Sequence, residues 1–170
     1  SLVHHVSAGH IERVSRGFYR LVGVPVGPHE DIVAAWLRLA PRGAVVSHDT
    51  ALALYELAPS RSRDIHLTLP RERRPRTPRT NAAVALHTTT VPLRRNEVTN
   101  RFGVQLTSAA RTIADVADIG ADPSVVIEAT GRALATGLVS PKELRAAVRR
   151  RSARVRQLVE RALQEVSVRA

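Results

Sequence analysis

Ser47, His48 and Asp49 stand side by side and supply the three side-chain types of a hydrolase triad. Adjacent residues cannot fold back on one another in triad geometry, which needs the imidazole between nucleophile and carboxylate. The spacing instead makes Ser47 a helix N-cap, with Asp49 and Thr50 in the first turn. Two other triplets, His29-Glu30-Asp31 and Asp64-Ile65-His66, each offer a metal ligand or two. Neither supplies the compact set of three that a transition metal needs. His4, His5 and His10 cluster near the start of the chain, where hydrogen bonding to DNA or plain exposure suits them better than a metal. Arg111 and Asp115, at i and i+4, read as a buried structural ion pair before a substrate clamp. Carboxylates are few, and no two are spaced for acid/base work. Glycines are scattered, so no loop cradles a phosphate. The residues therefore predict no active site, no metal site and no cofactor.

What they offer in quantity is positive charge. The 170 residues carry 26 Lys and Arg against 15 Asp and Glu, a formal net charge of +11. Such a chain attracts polyanions: nucleic acid first, an acidic protein or membrane surface second. Lys142 is the sole lysine, and arginine richness alone can follow from codon bias, so net charge is the stronger argument. Cysteine is absent, which excludes disulfides, thiolate zinc sites and a cysteine nucleophile, and suits the cytoplasm. No apolar run is long enough to span a membrane.

The elements that must position these residues follow from apolar spacing and punctuation. The stretch 9–21 reads as a tight hairpin turning at 15–17, with Arg13, Arg16 and Arg20 projecting outward and Gly17 supplying the turn. Before it, 1–8 reads as the last turns of a helix stopped by Gly9. The Gly/Pro-rich connector 22–28 divides a small module, 1–24, from a larger domain, 28–170. A helix is expected from Pro28 or His29 to about residue 40, a short strand at 44–46 and a helix over 47–57. Alternation over 64–69 predicts a half-buried strand, Ile65, Leu67 and Leu69 inward, His66 and Thr68 outward. The loop 70–81 holds Arg71, Arg73, Arg74, Arg76 and Arg79; it either embraces a phosphate backbone or is a solvated hairpin loop. Strands follow at 82–88, around 97–100 and at 104–106. Helices follow from 107 or 108, at 122–136, at 140–148 and at 153–166, with caps at Thr107 or Ser108, at Asp122 and at Ser140. The fold class is α+β: a small, mostly antiparallel sheet of four or five strands and a C-terminal helical region. Residues 142–170 are its most basic part and include Arg149, Arg150 and Arg151.

Three blocks, in this order, resemble the AbiEi family, the antitoxins of type IV abortive-infection toxin–antitoxin systems. The first is 9–21, Gly-His-Ile-Glu-Arg-Val-Ser-Arg-Gly-Phe-Tyr-Arg-Leu, similar to the family's wing. The second is 46–57, Val-Ser-His-Asp-Thr-Ala-Leu-Ala-Leu-Tyr-Glu-Leu, with 65–70, Ile-His-Leu-Thr-Leu-Pro. The third is 103–115, Gly-Val-Gln-Leu-Thr-Ser-Ala-Ala-Arg-Thr-Ile-Ala-Asp, similar to the family's Thr-Ser-x-x-Arg-Thr-x-x-Asp step.

The resemblance implies a winged helix-turn-helix that binds inverted repeats in its own promoter as double-stranded DNA and represses it. It implies a C-terminal antitoxin domain that counteracts a nucleotidyltransferase-like toxin without a stable complex. Such a protein is bacterial, cytoplasmic and not an enzyme. Arg13, Arg16, Tyr19 and Arg20 match the wing, and His4 or His5 would lie at the adjoining helix. Arg71, Arg73, Arg74, Arg149, Arg150 and Arg151 are candidates for phosphate or partner contacts. The first helices of a winged module are missing from these residues and are expected upstream. The alternative is a nuclease-like enzyme carrying a winged-helix module; it would need metal-binding acids at strand ends, where only Asp64 and Glu97 stand.

Overall fold

A computed structural model describes residues 5–6, 9–15, 17–23, 27–76 and 82–169. His5 and Val6 are helical, and Gly9 (φ +70°) ends that turn, its N–H bonded to the Val6 carbonyl at 3.1 Å and that of His10 to His5 at 3.0 Å. This is the left-handed stop expected of a glycine. Strands β1 (Ile11–Ser15) and β2 (Phe18–Leu21) then pair antiparallel, Ile11 opposite Leu21 and Arg13 opposite Tyr19. Gly17 (φ +79°) lies in their turn. They form a two-stranded sheet of their own.

Helix α1 (Glu30–Leu39) has Glu30 and Asp31 in its first turn, where the helix dipole favours negative charge. It is followed by a 3-10 turn at Ala40–Arg42 and by Gly43, left-handed at φ +79°. Next come β3 (Val45–Val46), α2 (His48–Leu54), β4 (Ile65–Pro70) and β5 (Val84–Thr89). Strands β6 (Val98–Arg101) and β7 (Val104–Thr107) complete the sheet. The sheet order is β5-β4-β3-β7-β6. Strands β3/β4 and β6/β7 pair antiparallel, while β4/β5 and β3/β7 pair parallel.

The α+β class holds, and the five strands are as many as expected. The sheet is mixed, however, because half of its pairings are parallel. Parallel β4 and β5 cannot be joined by a hairpin. The arginine-rich connection between them is therefore a crossover; its residues 77–81, Arg79 among them, lie outside the described residues. Strand β4 also departs from expectation. His66 and Thr68, placed outward by alternation, are 8% and 3% exposed, so both faces of β4 are buried. The second face is closed by the start of α2: Thr68 Oγ1 donates to Ser47 Oγ at 2.8 Å, and the His66 N–H to Thr50 Oγ1 at 2.9 Å.

The C-terminal half is helical as read: α3 (Ala109–Asp118), α4 (Pro123–Ala135), α5 (Pro141–Val148) and α6 (Ala153–Arg169). Ser108 and Asp122 cap α3 and α4. Ser140 and Glu143 form a reciprocal capping box on α5. Helix α6 packs on α4 and α5, and α3 packs on α2. Leu57, Leu67, Leu69, Leu106, Ile113, Val126, Leu144, Val155 and Val159 are nearly inaccessible and join sheet and helices in one core. Each such side chain contributes about 1.5–3 kcal/mol of burial free energy. Trp36, the one tryptophan, reaches the Ala44 carbonyl with its indole N–H at 2.9 Å and so fixes α1 to the approach of β3.

Candidate functional site

The site begins at the junction of β3 and α2. Ser47 occupies the N-cap position in extended conformation, but its hydroxyl caps nothing. It receives the Thr68 hydroxyl and lies 2.9 Å from Nδ1 of His48. The capping role read from the sequence is thus positional only. His48, the first helical residue, is left-handed at φ +50°, a conformation that is uncommon outside glycine.

The His48 ring lies flat on that of His87 from β5, centroids 3.6 Å apart and planes at 15°. His66 from β4 lies beside it, ring centroids 5.1 Å apart and planes at 26°, its Nδ1 3.0 Å from Nε2 of His87. The strand register explains the meeting: Thr68 stands opposite His87 and His66 opposite Ala85, so the two histidines are diagonal neighbours. One ring nitrogen from each of the three lies within 4.8 Å of the others. Burial is the main cause that pushes His48 down to about 2 and His87 down to about 4. The neighbouring imidazoles add to it, and His66 is lowered by burial too. At neutral pH all three rings are uncharged.

Beside the histidines runs an ion-pair network on α3. Asp115, 3% exposed, accepts from Arg111 Nε at 2.9 and 3.0 Å and pairs with Arg151. Arg151 also reaches Asp118 at 2.6 Å, and Arg111 reaches Glu97 at 3.0 Å. Burial raises the Asp115 carboxyl against the pull of both guanidiniums. Burial would raise Glu97 as well, but the Arg94 N–H and Arg111 outweigh it and hold Glu97 low. Arg111–Asp115 is therefore the buried structural pair that the spacing suggested, with Arg151 as a third member from 33 residues beyond Asp118 in sequence.

Two adjoining hollows, of about 400 and 360 Å³, open over this network and share Thr89, Thr90, Arg111 and Arg151. The first is lined by His48, His87, Thr68, Asp115 and Arg71, the second by Arg94, Arg149 and Arg150. The groove thus gathers Arg71 from behind β4 and the arginines that follow α5. Among the arginines expected to meet phosphate or partner, Arg71, Arg149 and Arg150 are exposed at it, while Arg151 forms part of its ion-paired floor. Arg73 points instead to the Gly43 turn, and Arg74 is exposed.

The hairpin residues fare differently. Arg20 does not project outward. It bonds Glu12 at 2.6 Å and grips Glu30 with two bonds of 2.9 and 2.8 Å, so it ties the hairpin to α1. Arg13 is exposed and Tyr19 half-buried on opposing strands. His5 is exposed, its ring 6.0 Å from that of His10. Arg16 and His4 lie outside the described residues.

Asp64 and Glu97 are not brought into a common metal cluster: among the described residues, the three histidines are the one such group of three. Sequence reading took His48 and His66 singly and missed the set that His87 completes. No spacing signal announces it, because 66 and 87 meet only through the parallel register of β4 and β5. No protein-family model matches the chain, and no curated protein matches it.

Proposed function

We propose that the chain is the antitoxin of a type IV toxin–antitoxin system, a DNA-binding autorepressor that counteracts a nucleotidyltransferase-like toxin. The observation that carries the nucleic-acid part is the groove, where arginines from distant segments collect on one face of a chain of net charge +11. Guanidiniums so arranged hold phosphates and orient a duplex without reading its sequence. The β1–β2 hairpin, which carries Arg13 opposite Tyr19, is a second phosphate-contacting element in this reading, and Arg16 belongs to it by sequence. Arg20 acts there as the pin that sets the hairpin's angle to α1. The antitoxin part rests on the family resemblance of 9–21, of 46–57 with 65–70, and of 103–115.

The test separates the two activities in cells. Arg13→Ala with Arg16→Ala is expected to derepress a reporter driven by the operon's promoter while rescue from the neighbouring toxin persists. Repression that is unchanged by both substitutions removes the hairpin from DNA binding. Absence of rescue by the unsubstituted chain overturns the antitoxin reading.

A further inference from the structure

We infer that His48, His66 and His87 form a binding site for one divalent transition-metal ion, zinc foremost, with an open coordination position facing the groove. The inference goes beyond the DNA-binding reading and does not depend on it. Three imidazoles from three separate elements converge so that one ring nitrogen of each lies within 4.8 Å of the others. The Nδ1 of His66 and Nε2 of His87 are 3.0 Å apart. Two ligands on a tetrahedral zinc at ordinary Zn–N bond lengths sit about 3.3 Å apart. Ring nitrogens this close need a shared proton or an ion between them. Neutral imidazole suits zinc, and also copper, iron and nickel.

The surroundings fit a ligand set. Ser47 Oγ, 2.9 Å from His48 Nδ1, is itself fixed by the Thr68 hydroxyl at 2.8 Å. An Nδ1–H donated to Ser47 leaves Nε2 of His48 with its lone pair free, the outer-shell arrangement that orients metal-bound histidines. His48 and His87 both line the groove, so a fourth ligand can enter from that side. Asp49 and Asp64 place negative charge near His66, and Asp115 lines the same hollow. Arg111 and Arg151 oppose a cation, but both are engaged by carboxylates. One movement is required. The stacked rings of His48 and His87 send their lone pairs side by side, so seating the ion turns His48 off the stack.

The experiment uses the untagged chain after chelator treatment, titrated with zinc by calorimetry and with cobalt(II) by visible absorption. The variants are His48→Asn, since Asn tolerates the left-handed backbone there, and His87→Gln on the edge strand β5. Circular dichroism checks that each is folded. One ion per chain, a tetrahedral cobalt spectrum and about tenfold or greater weakening in either folded variant are expected. No saturable binding by the unsubstituted chain, or affinity unchanged in both variants, overturns the site. Histidine ring spectra of the unsubstituted chain decide the matter even if a variant unfolds. Zinc must move the signals of His48, His66 and His87; shifts confined to His4, His5, His10 and His29 contradict the proposal.

Discussion

The histidine trio shows how a residue's surroundings decide its chemistry. His48 and His87 resist protonation because charging either ring would put a cation in a desolvated site beside neighbouring imidazoles, with Arg111 and Arg151 adding to the penalty for His48. An unfolded chain takes up those protons near pH 6.5, the folded chain only near 4 for His87 and near 2 for His48. Below pH 6.5 the unfolded state therefore binds more protons, and stability falls as pH falls. Each of the two histidines contributes up to about 1.4 kcal/mol per pH unit to that slope. The held-down carboxylates Glu97, Glu143 and Glu160 lose stability in the same direction, but their window opens lower, below about pH 4.5. Asp115, raised, works in the opposite sense. Between pH 6.5 and 5 the histidines dominate. Thermal melts of chelator-treated protein should show a Tm that drops across that interval, and the His48→Asn, His87→Gln double variant should flatten it. An equally steep drop in the double variant contradicts the assignment.

At the scale of elements, much was legible in the sequence, and what was not has a physical cause. Helices α3 to α5 announce themselves through Ser108, Asp122–Pro123 and Ser140–Pro141, because caps act within one turn of chain. Strand pairing carries no such local mark. The alternation of 64–69 located β4 correctly but said nothing of the parallel partner beside it or of the α2 terminus covering His66 and Thr68. The groove's ion pairs were half legible: the i,i+4 spacing gave Arg111–Asp115, whereas Arg151 and Glu97 arrive from α5's end and β6's start. That network fastens α3 to both. Arg111→Met would leave Asp115, 3% exposed, with one cationic partner instead of two. A loss of about 2 kcal/mol in chemical denaturation is expected, since a charge-assisted hydrogen bond to the buried carboxylate is removed while Arg151 still partners it. A loss within experimental error would mean that Asp115 is protonated in the folded state and needs no second guanidinium.

For the whole molecule, the arginines of 142–170, scattered through α5, α6 and the turn between them, could have been no more than a solvated face. Folding brings Arg149 and Arg150 to one hollow and Arg71 to the adjoining one, with the ion-paired Arg151 lining both. A surface of this kind binds a polyanion by releasing counterions, so its signature is salt dependence rather than affinity at one condition. The measurement is fluorescence anisotropy of a labelled promoter duplex titrated with the chain over a series of salt concentrations. The Arg149→Ala, Arg150→Ala double variant, whose changes lie on the surface and outside the buried network, should reduce the slope of log K against log salt by about one to two units. A slope and affinity identical to those of the unsubstituted chain would mean that the groove does not hold phosphates.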